Sequence, residues 1–536
     1  MNKLTSDAEY EFAIVGAGVA GALLARQLSL AGRKVVILET GGKIERADAV
    51  IRYQQALDRN LSSPFPVWPW AAIPDESKPS AYFGSHTSAD YSPSYLKFVG
   101  GTTWHWTGNT PRFLPNDFAL QQRYGVGVDW PVSYAELEPY YLKAEYALGV
   151  AGDSHDDQGS PRSGPYPMPP IPVTYADKVL AQRLLPFGVE VKPFPAARNS
   201  RPNDGRAQCC GSNNCSPICP TGAQYSADTD VDKAVRAGTK LLTQATVYRF
   251  ELNQARLITA LHYKLPDGSS HLLTAKNFIL AANSIESPRL LLMSANALAP
   301  NGIANSSGQV GRNLMDHVLF FHSFRMPIPL YPGRGPQCVS GLALGGRDGD
   351  FRRDYAASKL FISNAPDAHS EAVSMINNES NWGKIVPDLR DSLIHRGCFG
   401  GEIETLPDEN NRVMLDTDRL DTLGLPLPRI DYHLSAYTER GLKYWQNLIS
   451  GLIQKIGGES ISTATQHSSH HPSGTLRMGD DPLKSVVNSN CQSHDHANLY
   501  IIGSSVFPSM GTANPTLTIA ALSLRLAEYL LSPVKK

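Results

Sequence analysis

Apolar residues in this chain gather into short blocks, and the period inside each block indicates what it forms. Glu11-Phe-Ala-Ile-Val15 is an apolar run suited to a buried strand, and Ala22-Leu-Leu-Ala-Arg-Gln-Leu28 repeats apolar positions at the spacing of a helix face. Between them lies Gly16-Ala-Gly18-Val-Ala-Gly21, and Lys34-Val-Val-Ile-Leu38 follows as a second strand ended by Glu39. Strand, glycine turn, helix, strand and acid in that order make a complete dinucleotide-binding fingerprint, where a lone glycine motif would be weak. Gly16 makes the tight turn, Gly18 lets the backbone approach a pyrophosphate, and Gly21 allows close helix packing. The helix N-terminus faces the phosphates, and Glu39 is placed to accept from ribose hydroxyls.

Farther along, residues 46 to 95 carry Pro64-Phe-Pro-Val-Trp-Pro-Trp70 and read as irregular cover. Val99-Gly100-Gly101-Thr102-Thr103-Trp104-His105-Trp106-Thr107 comes next. Its glycines and hydroxyls can wrap a phosphate and a ring through backbone N–H groups while the tryptophans exclude water, although His105 could equally be a core histidine. Residues 153–172 are a Gly/Ser/Asp/Pro surface loop, and Val189-Glu-Val-Lys-Pro193 is a short strand. Tyr225 to Gly238 has helical spacing. Four runs at 240–243, 245–250, 257–263 and 271–274, with a turn at Asp267-Gly268, predict an antiparallel insert. Phe278-Ile-Leu-Ala-Ala282 returns to the parallel sheet, and a helix begins near Arg289. From about 320 to 455 strand and helix signals mix without a legible ionisable cluster, and the substrate-binding sheet is placed there by exclusion. In the C-terminal part, Ser469-His470-His471-Pro472 is a proline-punctuated turn and Asn498 to Gly503 a strand. Thr512-Ala-Asn514-Pro515-Thr516 caps a helix from Leu517 to Leu531.

Cysteine placement changes the picture. Cys209-Cys210-Gly-Ser-Asn-Asn-Cys215-Ser-Pro-Ile-Cys219-Pro220 holds four of the chain's seven cysteines. A C-x3-C-P ending preceded by further cysteines matches the tail of an iron-sulfur ligand run. A zinc site would need two close cysteine knuckles and a longer spacer, and a disulfide inside the loop remains the alternative. Adjacent Cys209 and Cys210 cannot easily ligate one cluster together. Cys209, Cys215 and Cys219 are therefore taken as the metal ligands, three suiting a 3Fe-4S cluster, with Cys210 a spare thiol able to bond a partner subunit. Isolated Cys338, Cys398 and Cys491 carry no motif.

Composition excludes rather than assigns. A hydrophobic content of 42%, a charged content of 18% and 39 prolines describe a loop-rich globular enzyme of two interleaved domains, not a disordered chain. A net charge of -1 gives no argument for nucleic acid. No apolar run reaches the ~18 residues of a membrane span. The polar stretch Met1 to Tyr10 leads straight into the first strand without a visible signal peptide, which by itself says cytoplasm.

With these parts assembled, the chain resembles the glucose-methanol-choline (GMC) flavin oxidoreductases over essentially its whole length. The elements that carry the resemblance are the nucleotide fingerprint, GGTTWHWT, AANSIESPRLLL, HHPSGTLRMG and GSSVFPSMGTANPTLTIAALS. The CCGSNNCSPICPTGA loop, with Ala197-Arg-Asn-Ser-Arg-Pro202 before it, is similar to the flavoprotein subunit of bacterial membrane-associated sugar dehydrogenases acting on glucose, fructose, sorbitol, gluconate or ketogluconate. The resemblance implies an α/β chain (α+β overall), with a Rossmann-like FAD-binding domain interleaved with a substrate domain on an antiparallel sheet. Residues 8–45, 96–110, 225–320 and 455–536 fall to the first, 46–95, 111–195 and 321–454 to the second and its cover, and 196–224 to an iron-sulfur loop.

It further implies His471 as base on the substrate hydroxyl and Asn514 as hydrogen-bond partner of the same oxygen, with His470 facing away. The residue types agree: a neutral imidazole takes a proton near neutral pH, and an amide orients the oxygen without competing for it. FAD would lie against Gly16, Gly18, Gly21, Glu39, Gly100, Gly101, Thr102, Thr103, Val247, Ala282, Gly503, Ser504, Asn514, Pro515 and Thr516. His105 stands where some relatives carry a covalent histidyl-flavin link, an even choice here. Gly503 departs from the acid many members place there. The implied activity is hydride transfer from a sugar, sugar acid or polyol to FAD, then through the 3Fe-4S cluster to a multihaem cytochrome c subunit and quinone. Export with a small signal-bearing subunit would place the enzyme on the periplasmic side of the membrane, without a span of its own. The alternatives are a soluble oxidase with disulfides in the loop, or a non-catalytic flavin and iron-sulfur carrier, which the His471 and Asn514 pair argues against.

Overall fold

A computed structural model describes residues 10–57, 59–66, 82–85, 91–365, 368–378 and 382–533. Two sheets organise it. The nucleotide sheet has seven strands, and its parallel half runs Lys240–Leu242, Val35–Leu38, Tyr10–Val15, the end of Ser270–Leu280, and Leu499–Ile501. Its central strands are apolar where they are buried, in residues 12–15, Val35–Leu38, residues 278–280 and Leu499–Ile501, as burial on both faces demands. Strand Ser270–Leu280 serves two partnerships. Its last residues lie between the first strand and Leu499–Ile501, while its first residues pair antiparallel with Ile258–Lys264, which pairs in turn with Thr246–Leu252.

Helices Val19–Leu30, Tyr134–Leu148 and Thr516–Leu531 share one apolar core with this sheet. The second of these comes from a segment expected in the substrate domain. Its buried face, Leu137, Tyr141, Ala144 and Leu148, has clear helical spacing, but spacing alone does not tell which core a helix faces.

The second sheet is antiparallel, in the order Glu459–Gln466, Val318–Arg325, Arg396–Ile403, Ser358–Ile362, Ser340–Ala343 and Glu190–Pro193. Its central strands alternate. Val318, Phe320, Phe324, Leu360, Ile362, Phe399 and Ile403 point into a second core under helix Ala436–Lys455, with Tyr437, Trp445 and Ile449 opposite them. Leu319, Phe321, Phe361 and Glu402 turn the other way, onto a cavity between the sheets.

Two expectations are corrected. Lys240–Leu242 belongs to the parallel sheet, with Val36 opposite Lys240, and not to the antiparallel insert. It is a three-residue, partly exposed edge strand with no alternation to reveal its partner. Residues 46–55, expected as irregular cover, form the helix Arg46–Gln55. Ala49 is its one buried residue, so no apolar stripe marks it. Residues 67–81 of that stretch lie outside the described residues. Among the described residues no helix is long and apolar enough to cross a membrane.

Candidate active site

One cavity of about 490 Å³ runs from the glycine fingerprint to the face of the antiparallel sheet. At its first end Gly16 takes φ +107, and a Cβ on Gly21 would sit 2.1 Å from the Gly16 carbonyl oxygen, so the first helix can rest on this turn only with glycine there. Gly18, in contrast, faces open space within the cavity wall. Glu39 is fixed by accepting from Ala17 N–H at 2.9 Å and Gly41 N–H at 3.0 Å, leaving lone pairs for hydroxyl donors. Burial pushes its carboxyl up to about 7 against the pull of those amides and of Lys97. Glycine clearance, a helix N-terminus and a braced acceptor together fit a dinucleotide.

Along the middle, Gly101, Thr102, Thr103 and His105 form one wall and Val247, Ala282, Gly503, Ser504, Pro515 and Thr516 others. Gly21 and Gly100 shape the turns from behind and do not line the cavity. The His105 ring is held neutral, its pKa lowered to about 3 by burial and by His470. His470, expected to face away, also lines the cavity, and its Nδ1 accepts from Ser94 N–H at 2.9 Å.

His471 and Asn514 meet at the far end, His471 Nε2 lying 3.3 Å from Asn514 Nδ2. Hydrogen-bond roles here follow from the partners. The Gly511 carbonyl can only accept, so His317 Nε2, 2.9 Å away, carries the proton of that neutral ring. His317 Nδ1 is then an acceptor, and His471 Nδ1, 3.0 Å from it, must be the N–H. His471 Nε2 is left with its lone pair toward Asn514 and the cavity, the tautomer a base requires. Burial lowers the His471 pKa to about 3 and also moves that of His317 down from its ordinary value, so both rings are neutral at physiological pH.

Asp316 fixes the backbone that carries this base. Its carboxylate accepts from His471 N–H at 2.9 Å, Ser469 N–H at 3.1 Å, the Ser468 hydroxyl at 2.7 Å and the Tyr91 hydroxyl at 3.1 Å. Burial pushes Asp316 up to about 7, but a shell made only of donors suits its charged form.

From the antiparallel sheet, Lys359 and Glu402 stand directly opposite each other on neighbouring strands and pair at 2.6 Å. Lys359 also donates to Asn514 Oδ1, and Asn514 Nδ2 lies 3.3 Å from Glu402 Oε1. The amide is thereby fixed with its N–H groups toward the base. Burial opposes the charge on Glu402, but the Lys359 ammonium outweighs it and brings the pKa to about 2. Asn109 also lines the cavity, and its buried Oδ1 has no hydrogen-bond partner among the described residues.

Asp316, His317, Lys359 and Glu402 were missed in the sequence. A lone lysine inside the apolar strand Ser-Lys-Leu-Phe-Ile was the one signal that could have pointed to this end. Among the described residues, His317, Glu402 and His471 are the one group whose ligand atoms all lie within 4.8 Å of one another. Their ring-to-ring hydrogen bond and the Lys359 ion pair account for that closeness without an ion.

The cysteine loop packs behind the His105–Thr107 wall, and its Ser216 reaches the cavity. All seven cysteines are free thiols; Cys215 and Cys219 are buried, Cys209 partly so, and Cys210 is exposed. Cys209 lies within the electrostatic reach of Cys215 and Cys219; burial raises its pKa and Arg198 counters the rise. The three sulfurs are not within single-ion distance of one another. A multi-iron cluster, which puts several atoms between its ligands, suits this donor set better than one metal ion.

Residues 126–319 and 407–523 match the GMC oxidoreductase family. The chain is 38% identical over 534 residues to the fructose dehydrogenase large subunit of Gluconobacter japonicus, covering 98% of each chain. It belongs to the GMC oxidoreductase family. Another relative, the 2-methyl-1,2-propanediol dehydrogenase of Mycolicibacterium austroafricanum, is 28% identical, with 98% of this chain and 96% of that one covered. The solved pyridoxine 4-oxidase from Mesorbium loti has the same fold, with a TM-score of 0.65 at 18% identity over 97% of this chain and 99% of that one. As a GMC oxidoreductase, the chain is an FAD-dependent enzyme that oxidises a CH–OH group, related to bacterial sugar and alcohol dehydrogenases.

Proposed function

We propose that this GMC enzyme is a dehydrogenase of a sugar, sugar acid or polyol that passes electrons through a 3Fe-4S cluster to a cytochrome c subunit or quinone. The observation that carries the catalytic part is the unprotonated Nε2 of His471, set by the chain from Gly511 through His317 and facing the amide of Asn514. FAD, when bound, supplies the hydride acceptor. His471 Nε2 takes the hydroxyl proton, Asn514 Nδ2 donates to the same oxygen, and Glu402 offsets the positive charge that forms on the imidazole. Lys359 keeps Asn514 from rotating its carbonyl toward the substrate.

A carboxylate on the cavity wall, Glu402, suits a neutral substrate with several hydroxyl donors, which favours sugars and polyols over sugar acids. Likeness to a fructose dehydrogenase supports the sugar class. A cluster on Cys209, Cys215 and Cys219 would take electrons singly, which a one-electron haem acceptor requires. The partners would be a small signal-bearing subunit and a multihaem cytochrome c, holding the enzyme peripherally on the periplasmic side. The relative's designation as a large subunit is consistent with such an assembly.

The test is anaerobic co-expression with any small subunit encoded beside it, followed by flavin, iron and sulfide analysis and a sugar and polyol screen with an artificial acceptor. Flavin, about three irons per chain and turnover are expected, with turnover lost in His471→Ala while flavin is retained. Flavin without iron in folded, active protein refutes the cluster; a flavin-loaded protein inert to every CH–OH donor refutes the substrate class. Release of all flavin on denaturation would exclude a link through His105.

A further inference from the structure

The cysteine loop contains a buried cation that has no anion. Arg198 is 1% exposed, and among the described residues no carboxylate pairs with it. Its Nη2 donates to the Thr107 carbonyl at 2.7 Å and to Gln224 Oε1 at 3.0 Å, while Nε and Nη1 have no partner among the described residues. A buried guanidinium with unmade hydrogen bonds is costly to keep, and an anion bound in the working state would offset that cost. Arg206, 9% exposed, also has an unpartnered Nε among the described residues, but Asp204 and Asp230 lie within its electrostatic reach, which leaves Arg198 as the uncompensated one.

Both connections of Arg198 lead from the flavin cavity to the cysteines. Thr107 lines the cavity, as does Trp106, whose carbonyl accepts from Gln224 Nε2. The same Gln224 nitrogen donates to the Cys215 carbonyl at 3.1 Å. On the other side Cys209 N–H donates to the carbonyl of Asn199, the residue after Arg198, at 2.9 Å. Arg198 thus sits between two of the three thiols and the wall of the flavin site.

We propose that Arg198 is a positioning residue that locks the cysteine loop to the flavin wall and sets the reduction potential of the cluster held there. The inference rests on the cluster reading above. Thiolates and sulfides carry net negative charge, which grows by one when the cluster takes an electron. A fixed guanidinium and its free N–H donors stabilise the reduced form more than the oxidised one and raise the potential. A cluster held on Cys209, Cys215 and Cys219 would take one electron at a time from the flavin and give it to the haem acceptor of the proposed partner, and a raised potential would favour the first of these transfers.

The experiment is a redox titration followed by electron paramagnetic resonance on anaerobically purified holoenzyme, comparing wild type, Arg198→Gln and Arg198→Lys, with iron and sulfide measured on each. Arg198→Gln is expected to shift the one-electron equilibrium at least tenfold toward the oxidised cluster, about 59 mV. Arg198→Lys, which keeps the charge and loses the planar fork, should shift it less in the same direction, and it carries the test if the glutamine variant does not assemble. A cluster present with its midpoint unmoved in the variants overturns this inference alone. Wild-type enzyme with flavin and no iron overturns the cluster reading and this inference with it.

Discussion

Replacing His317 by Leu separates the base from what orients it. In the native protein His317 accepts the His471 Nδ1 proton at 3.0 Å and is itself held by the Gly511 carbonyl at 2.9 Å. Leucine leaves a buried N–H unpaired, and the imidazole can then place its proton on Nε2, where it blocks proton abstraction. One unmade buried hydrogen bond costs ~1–3 kcal/mol. Expressed in the barrier, this is a fall in kcat of roughly 5- to 150-fold. KM should change little, because His317 is screened from the cavity by His471, and flavin content should stay the same. His317→Asn returns an acceptor near the Nδ1 position and should recover much of the loss. The assay is steady-state turnover with an artificial acceptor, with kcat and KM determined separately for the three proteins. Wild-type kcat in the leucine variant refutes the tautomer argument. Equal losses in the leucine and asparagine variants would reduce His317 to a packing role.

Three other outcomes follow from the same geometry. Gly21→Ala puts a methyl 2.1 Å from the Gly16 carbonyl oxygen, so the purified variant should lose most of its flavin absorbance. Asp316→Asn replaces an acceptor of four donors with an amide that must turn an N–H toward some of them; a drop in melting temperature together with at least a tenfold loss of kcat is expected, and unchanged kcat would contradict the clamp. His105 and His471 are buried neutral with pKa values near 3 while the unfolded chain takes up protons from about 6.5 downward, so each withdraws stability as pH drops below about 6.5. Glu39 and Asp316, pushed up to about 7, act in the opposite direction down to about 4.5, so the steep loss is expected only below that, where Glu402, whose folded pKa is about 2, adds to the histidines; a melting temperature flat from pH 5 to pH 3 would refute this.

The fingerprint and the glycine-threonine stretch could be read in the sequence because each is local: neighbours in sequence line one stretch of the cavity. His471 and Asn514 came from the family resemblance, and the structure brings the two side chains together. What stayed hidden depends on register. Lys359 and Glu402 meet because two antiparallel strands align them, and no spacing along either strand encodes that alignment. Asp316 and His317 sit in an unremarkable polar turn and gain meaning only when Ser473 pairs with Met315 and brings the His471 turn alongside. The strand Lys240–Leu242 was assigned to the wrong half of its sheet for the same reason, its partner being set by the fold and not by its own residues.

The antiparallel sheet separates two demands that often conflict. Alternate residues of its central strands face opposite ways, so Phe320, Leu360, Phe399 and Ile403 anchor the hydrophobic interior while Leu319, Phe321, Phe361 and Glu402 line the cavity. Substitutions restricted to the second set leave the first set's packing in place. Leu319, Phe321 and Phe361 also pack with Phe194 and Cys338, so a library at these three that keeps their combined volume is the natural starting point for redirecting the enzyme to new alcohols.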